Sequence, residues 1–253
     1  MTTITTSDIL LENATKYADK PALSSKDKAG NWKTTTWAEF SGETMDVAKS
    51  LNSLGFVKGD KLSIYSYNRK EWYIAYAAAN FCNGAGVGVY HTCSPEEVEW
   101  VVGNSDSKFV FVGHNPMDGG DNEKMCSHRL HKILDSLEKV QKVVVMDGVD
   151  MPAHDKAITW SDFISKGKDV DESKIHDSIK SIKPEDTATL IYTSGTTGNP
   201  KGVELTYDNF EYEISKVLEI QSYNQGDKYV SWLPCAHVFG QLVDNHAWIR
   251  EGL

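Results

Sequence analysis

A run of six hydroxyl-bearing or glycine residues stands shortly before Lys201; it consists of Thr193, Ser194, Gly195, Thr196, Thr197 and Gly198. Glycine lets the backbone turn its N–H groups toward one point, hydroxyl groups add hydrogen-bond donors, and lysine adds positive charge. Backbone and side-chain donors of this kind are suited to oxyanions. We therefore predict that 193–198 and Lys201 bind the phosphates of a polyphosphate ligand.

The residues on either side of this run show which kind of phosphate loop it is. The apolar segment 188–192 predicts a buried strand directly before the run, and Val203 and Leu205 predict a second strand after it. A Walker A loop needs glycine directly before its lysine and serine or threonine directly after it. Here Pro200 and Gly202 flank Lys201. The phosphates are thus expected on a loop between two strands, and not at a helix N-terminus.

A flexible linker is the alternative interpretation, because glycine, serine and threonine are common in all loops. Six such residues in a row between a buried strand and the sequence Pro-Lys-Gly favour the binding site.

A second stretch with a candidate functional side chain follows later in the sequence, at Trp232-Leu233-Pro234-Cys235-Ala236-His237-Val238-Phe239-Gly240. His237 comes just after a predicted strand and a proline turn, where its ring could orient a carboxylate or an acyl phosphate oxygen by donating a hydrogen bond. A structural role is the alternative for any single histidine, and it is the role we expect for His246.

The elements that must position these groups alternate along the chain. Helical periodicity, capping boxes and glycine stops predict helices at 7–18, 37–54, 71–82, 95–103, 129–137 and 208–220. Short apolar runs predict strands at 20–23, 31–36, 62–65, 86–90, 108–113, 143–146, 188–192, 203–205 and 228–233. Strands that alternate with helices indicate an α/β fold, with layered, mostly parallel sheets flanked by helices.

Composition excludes several classes of function. The 253 residues carry a net charge of -10, which argues against a nucleic-acid partner and shows no polybasic membrane patch. The four cysteines are scattered and are expected to be reduced thiols. His91, Cys93 and His114 lack a chelating pattern, so no metal ligand is predicted. The uncharged segment 73–90 is rich in glycine and predicts a helix, a turn and a strand instead of a transmembrane helix.

Three stretches resemble one family. The sequence TSGTTGNPKG at 193–202 is similar to the signature loop of the adenylate-forming (AMP-binding) superfamily, which includes acyl-CoA synthetases, firefly-type luciferases and peptide-synthetase adenylation domains. The stretch 59–112 resembles the N-terminal region of long-chain fatty acyl-CoA synthetases. Within that group, the very-long-chain bubblegum branch is one candidate for the sub-group that the chain resembles. The stretch 232–240 resembles the next signature of the family, whose histidine and aromatic residue line the junction of the carboxylate and adenylate pockets.

The resemblance implies an ATP-dependent fatty acid–CoA ligase that forms an acyl-adenylate and then an acyl-CoA. It implies ATP, Mg²⁺ and coenzyme A as co-substrates, Lys201 and His237 as catalytic residues, and the acyl and adenylate pocket at His237 and Phe239. Two alternatives stay open. One is an adenylate-forming enzyme with another acceptor or a luciferase-like fate, and the other is a non-catalytic fragment or pseudoenzyme that binds nucleotide or a partner.

The resemblance also sets expectations for organisation and location. Residues 1–253 are expected to be an incomplete N-terminal part of the adenylation domain, without the mobile C-terminal domain, because the magnesium, ribose and C-terminal lysine motifs of the family are not found up to Leu253. No secretory signal is apparent, so an intracellular location is expected, in the cytoplasm or on the cytosolic face of a membrane with peripheral association. Acyl chain length and organelle are not predicted.

Overall fold

A computed structural model describes residues 5–27, 30–114, 124–193, 198–221, 223–224 and 226–253. Two sheets form in this part of the chain. The smaller is an antiparallel pair, β1 (Pro21–Lys26) with β2 (Trp32–Thr36). The larger has seven strands: β3 (Lys61–Tyr65), β4 (Ala85–Val89), β5 (Phe109–Val112), β6 (Lys142–Val145), β7 (Ala157–Thr159), β8 (Thr187–Thr193) and β9 (Lys201–Thr206).

Six helices lie in connections between these strands, one precedes β1 and three follow β9 in the described part of the chain. They are α1 (Thr6–Lys16), α2 (Trp37–Ser53), α3 (Lys70–Phe81), α4 (Pro95–Asn104), α5 (Cys126–His131), α6 (Trp160–Ser165), α7 (Glu172–Lys180), α8 (Tyr207–Ile220), α9 (Val238–Gln241) and α10 (Trp248–Glu251). A π-helical turn, Leu242–Ala247, joins α9 to α10.

The large sheet is parallel except at one edge. Its strand order is β7-β6-β5-β3-β4-β8-β9, and only β9 runs antiparallel to its neighbour. After β3 the chain adds β4 on one side of that strand and β5 on the other. Parallel α/β sheets bind ligands beyond the carboxyl ends of their strands, near such a reversal. The predicted α/β class with a mostly parallel sheet is confirmed.

Alternation along the strands divides the core between the two faces of the sheet. Ile64 and Phe111 pack with Trp37 and Trp72 on the face covered by α2 and α3. The opposite face is buried beneath α4 and α5, with a cluster that includes Tyr65, Val87, Val110, Val112 and Leu130. Successive side chains of a strand point to opposite faces, so each strand contributes to both layers.

The capping signals in the sequence correctly locate several helix starts. The backbone N–H of Thr36 donates to Glu39 Oε2 at 2.8 Å, and the backbone N–H of Glu39 donates to Thr36 Oγ1 at 3.2 Å. Ser94 and Glu97 form the same reciprocal pair at the start of α4. Each pair satisfies backbone donors that a helix N-terminus leaves without partners.

Three sequence predictions need correction. The helix predicted at 129–137 begins earlier and ends earlier, at Cys126–His131. The polar stretch 151–182, in which the sequence analysis predicts no helix or strand, contains β7, α6 and α7. These elements are short and α7 is mostly polar, so their apolar periodicity is weak.

The strand predicted at 228–233 is wrong, because these residues are extended but pair with none of the described strands. Val230 and Trp232 are 80% and 77% exposed, and Ser231, although also exposed, hydrogen-bonds to the Tyr73 hydroxyl. A strand needs a neighbour for its backbone hydrogen bonds, which apolar alternation alone does not supply. Within the described ranges, no helix is long and apolar enough to cross a membrane.

His246 joins three helices inside the core. Its Nδ1 lies 2.8 Å from Thr6 Oγ1 of α1, and its Nε2 lies 3.0 Å from the Tyr76 hydroxyl of α3. Its ring stacks on Phe210 of α8 with centroids 3.9 Å apart. Burial lowers the pKa of His246 from 6.5 to about 3, because the charged imidazolium loses its hydration. These contacts give His246 a packing role.

Acid should destabilise the fold through His246. The unfolded chain binds a proton at this histidine near pH 6.5 and the folded chain only near pH 3, so stability falls as pH drops through that window. The loss is at most about 1.4 kcal/mol per pH unit for one group. Urea unfolding at pH 7 and pH 5 should show a smaller pH effect in His246→Gln than in the unmodified protein. His176→Gln, on α7, is the control and should keep the full effect; an equal response in both variants would contradict the assignment.

Candidate nucleotide and acyl site

The predicted phosphate loop connects the two strands of an antiparallel hairpin. Thr193, the last residue of β8, pairs with Lys201, the first residue of β9, and Tyr192 pairs with Gly202. The loop therefore leads from a buried strand into a second strand, as the sequence indicated. Thr193 and Lys201 lie side by side at the carboxyl end of β8, and both are exposed.

Four of the predicted phosphate-binding residues, Ser194, Gly195, Thr196 and Thr197, lie outside the described residues, so their roles stay predictions. Gly198 is described and has a φ of 92°, a left-handed backbone conformation that side chains other than glycine rarely adopt. The backbone at this position thus requires glycine, which agrees with a loop shaped by its main chain.

Helix α4 anchors both ends of the hairpin loop. The indole Nε1 of Trp100 donates to the carbonyl oxygen of Pro200 at 2.8 Å, directly before Lys201. The hydroxyl of Tyr192 donates to Asn104 Oδ1 at 2.7 Å. Burial raises the pKa of Tyr192 to about 12, so this hydroxyl keeps its proton and remains a donor. Helix α4 therefore holds the chain both just before and just after the loop.

The sequence does not mark Trp100 as a functional residue. The side chain is 38% exposed, but its indole N–H positions the loop. The only signal in the sequence is the residue type, since tryptophan carries one N–H donor. The sequence could not name that partner, which lies 100 residues away along the chain.

His237 is the N-cap of α9. Its Nδ1 accepts the backbone N–H of Phe239 at 3.2 Å. An imidazole nitrogen that accepts a hydrogen bond carries no proton, so neutral His237 holds its proton on Nε2. The side chain is exposed, and its Nε2–H is thereby set as a donor. This tautomer is the one that donating to a carboxylate or phosphate oxygen requires.

Phe239 lies beside His237 and is 53% exposed. Val238, between them in the sequence, is 39% exposed. Apolar side chains with this exposure can form one wall of a pocket, but the described residues do not enclose one around them. The acyl and adenylate pocket at His237 and Phe239 therefore stays a prediction.

The segment that carries His237 packs directly on the parallel sheet. A Cβ atom at Gly88 of β4 would lie 2.6 Å from the Ala236 Cα, so only glycine permits this approach. β4 pairs with β8 through Gly86↔Thr189 and Val87↔Leu190. Continuing that register places Gly88 level with Ile191, shortly before the phosphate loop begins. The structure therefore brings the loop ends and the His237 segment to the same edge of the sheet.

A magnesium site needs side chains that can hold a metal ion. Magnesium prefers carboxylate oxygens and water in octahedral geometry. Across the described ranges, no group of three or more His, Cys, Asp or Glu side chains is placed to hold a metal ion. The expectation of magnesium therefore rests on the family resemblance.

Comparison with known proteins agrees with the geometry. Residues 10–253 match the family model described as AMP-binding enzyme. The chain belongs to the AMP-binding enzyme family. This match confirms the resemblance carried by TSGTTGNPKG and by the stretch 232–240.

Curated proteins that are similar to this chain include long-chain acyl-CoA ligases. The long-chain-fatty-acid–CoA ligase ACSBG2 of Xenopus laevis is 29% identical to it, over 98% of this chain and 33% of that protein. Long chain acyl-CoA synthetase 4 of Arabidopsis thaliana is 30% identical, over 97% of this chain and 37% of that protein. ACSBG1 of Bos taurus is 28% identical over 94% and 32%. The chain thus spans about a third of the length of these relatives, which include bubblegum members.

Solved structures share the fold. A protein assigned as a long-chain-fatty-acid CoA ligase from Rhodopseudomonas palustris superimposes with a TM-score of 0.75 at 18% identity, over 98% of this chain and 56% of that one. VinN, in complex with 3-methylaspartate, gives a TM-score of 0.70 at 17% identity, over 98% and 60%. At these identities the likeness shows a shared fold.

Loss of the Trp100 anchor should loosen the phosphate loop. Trp100→Phe keeps an aromatic ring but removes the N–H that holds the Pro200 carbonyl. A hydrogen bond contributes roughly 0.5–1.5 kcal/mol, so tryptic cleavage after Lys201 should accelerate by about two- to tenfold. Trp32→Phe, in β2, is the matched control and should leave this cleavage rate unchanged. Equal cleavage rates in both variants would show that Trp100 does not anchor the loop.

Proposed function

We propose that the protein activates a long-chain fatty acid with ATP, forming an acyl-adenylate and then an acyl-CoA with release of AMP. The observation that carries this proposal is the placement of the TSGTTGNPKG hairpin and the His237 segment at one edge of the parallel sheet, through the contact between Gly88 and Ala236. The long-chain acyl-CoA ligases among the relatives support the choice of acid and acceptor.

In the first step, a carboxylate oxygen of the fatty acid attacks the α-phosphorus of ATP, and pyrophosphate leaves. Both reactants are anions, so catalysis depends on positioning and on stabilising charge. Thr193 and the loop N–H groups would hold phosphate oxygens, together with the hydroxyls predicted at Ser194, Thr196 and Thr197. Lys201 begins β9 at the end of this loop, where its ammonium group would offset the charge of the departing pyrophosphate.

His237 would act at the other side of the reacting atoms. Its Nε2–H, fixed by the Nδ1 contact with the Phe239 backbone, would donate to the fatty acid carboxylate and then to an oxygen of the acyl phosphate. Phe239 would give the first methylene groups of the acid an apolar surface. This arrangement orients the carboxylate without removing a proton from it, since the acid is already ionised near neutral pH.

In the second step, the thiolate of coenzyme A attacks the acyl carbon of the adenylate. A carbon–sulfur bond forms, the acyl–phosphate bond breaks, and AMP leaves with the electron pair. The described residues supply no contact for coenzyme A, so the choice of this acceptor rests on the relatives.

Two other functions make different predictions. An adenylate-forming enzyme with another acceptor would release pyrophosphate with a fatty acid but would not depend on coenzyme A for turnover. A non-catalytic nucleotide-binding protein would bind ATP and release neither product.

These functions are separated by one assay on the full chain. Incubation with ATP, magnesium and palmitate should release pyrophosphate, and addition of coenzyme A should make AMP and palmitoyl-CoA accumulate. Lys201→Ala should lower the rate of pyrophosphate release by at least about tenfold, since charge stabilisation is lost. Lys33→Ala, on β2, should not change it. Binding of ATP without fatty-acid-dependent release of pyrophosphate would overturn the proposal.

Variants of His237 should distinguish the role of Nδ1, which caps α9, from that of Nε2, which donates to the substrate. His237→Asn keeps an acceptor that can cap α9 but loses the donor at the Nε2 position, and His237→Gln offers a donor there with a poorer cap. We expect the kcat for adenylate formation to fall by roughly 10²-fold or more in His237→Asn and His237→Ala, with a smaller loss in His237→Gln. Thermal unfolding should be least affected in His237→Asn. Activity that follows stability across the three variants would assign His237 a structural role only.

A further inference from the structure

The side chain of Asn68 holds the backbone on both sides of Pro234. Asn68 follows β3, at the carboxyl edge of the sheet, close to where the chain reverses its direction of strand addition. Its Nδ2 donates to the carbonyl oxygen of Leu233 at 2.7 Å. Its Oδ1 accepts the backbone N–H of Cys235 at 2.9 Å. One amide group thus satisfies an acceptor and a donor of the same turn.

These two hydrogen bonds satisfy backbone groups that a neighbouring strand would otherwise satisfy. Residues 228–233 pair with none of the described strands, and proline has no N–H to contribute. Cys235 is 1% exposed, so its backbone N–H would lose a hydrogen bond inside the protein without Asn68. A planar amide presents donor and acceptor side by side, which matches the spacing of two backbone groups.

The turn continues from this clamp to His237. The carbonyl oxygen of Pro234 accepts the backbone N–H of His237 at 2.9 Å, and Ala236 lies against Gly88 of β4. Three successive contacts therefore fix the backbone from Leu233 to His237. Only the first of them, that of Asn68, is made by a side chain.

A polar network centred on Ser231 supports the same turn. Ser231 Oγ lies 3.2 Å from Asn68 Nδ2 and 2.8 Å from the Tyr73 hydroxyl, and it donates to Asp244 Oδ2. Asp244 is 5% exposed and lies in the π-helical turn that follows α9. The chain entering the His237 turn and the helix leaving it are thus joined through Ser231, next to Asn68.

We propose that Asn68 is a positioning residue for adenylate formation, which it serves by fixing the turn that carries His237. The inference rests on the proposed function, in which His237 Nε2–H donates to the fatty acid carboxylate. Asn68 does not touch the reacting atoms; it acts through the Leu233 carbonyl and the Cys235 N–H. A displacement of about 1 Å at a catalytic group can lower a rate by about 10²-fold.

Three variants of the full chain test this role. Asn68→Ala removes both hydrogen bonds. Asn68→Asp keeps the shape and the acceptor for the Cys235 N–H, but when ionised it places an oxygen against the Leu233 carbonyl. Asn13→Ala is the matched control, because Asn13 Nδ2 makes a similar contact with the Ile249 carbonyl at 2.6 Å, away from the His237 turn.

Hydrogen exchange measures the clamp without any assay of activity. In Asn68→Ala, the amides of 231–240 should exchange faster by about tenfold relative to the unmodified protein, because two hydrogen bonds that hold the turn are lost. Asn13→Ala should leave these amides unchanged. Unchanged exchange at 231–240 in Asn68→Ala would overturn the clamp, whether or not the protein is a ligase.

Kinetics then test whether the clamp acts through His237. The kcat for adenylate formation should fall by about 10- to 100-fold in Asn68→Ala. The double variant with His237→Ala should lose little more than His237→Ala alone, because the two changes remove the same function. Multiplicative losses, or an unchanged kcat in Asn68→Ala, would overturn the positioning role.

The pH profile of Asn68→Asp gives a readout that lost stability would not produce. A protonated carboxyl can donate to the Leu233 carbonyl and accept from the Cys235 N–H, as the amide does. The kcat of Asn68→Asp, divided by that of the unmodified protein at the same pH, should rise as pH falls from 8 to 5. The titratable groups around the clamp are Tyr73, Tyr229, Cys235, His237 and Asp244, and all of them are present in both proteins, so their titration cancels in the ratio. A flat ratio would overturn the hydrogen-bond account.

The two proposals fail in different ways. If the unmodified protein shows no fatty-acid-dependent release of pyrophosphate, the proposed function fails and the positioning role fails with it, while exchange at 231–240 still reports the clamp. If the unmodified protein is active and the Asn68 variants match it, only the positioning role is overturned.

Discussion

The close packing of Ala236 on Gly88 is the contact on which the candidate site depends. A strand in the middle of a parallel sheet can be approached this closely only where it lacks a side chain, and a Cβ at Gly88 would lie 2.6 Å from the Ala236 Cα. This contact brings a segment from late in the chain onto β4, next to the strand that leads into the phosphate loop. It sets how closely the segment that carries His237 approaches the sheet whose edge strand begins with Lys201.

Hydrogen bonds from neighbouring elements then hold the two parts of the site in place. Trp100 and Asn104 of α4 hold the ends of the hairpin loop, and Asn68 after β3 holds the turn before His237. All of these contacts are made by side chains to backbone or to a buried hydroxyl. Polar contacts of this kind are directional, so they fix orientation where apolar packing would allow sliding.

The last helical segment buries polar side chains, which hydrogen-bond to other parts of the protein. Asp244, Asn245 and His246 are buried in the π-helical turn, where an amphipathic helix would normally place apolar residues. His246 bonds to Thr6 and Tyr76, and Asp244 bonds to Ser231. Burial raises the pKa of the Asp244 carboxyl, which shows the cost of keeping its charge inside the protein. Such turns are frequent at functional sites, and this one follows directly from the helix that His237 caps.

The sequence by itself determined the local features of this protein: the α/β class, the capping boxes at Thr36 and Ser94, the strand before the phosphate loop, and the family. These depend on neighbouring residues, whose periodicity and hydrogen-bonding capacity can be read directly. Tertiary structure alone decided that 228–233 pairs with none of the described strands, that Trp100 anchors Pro200, and that Asn68 clamps Leu233 and Cys235. Each of these depends on a partner about 100 residues or more away along the chain, or on the absence of one, and local pattern carries no information about such partners.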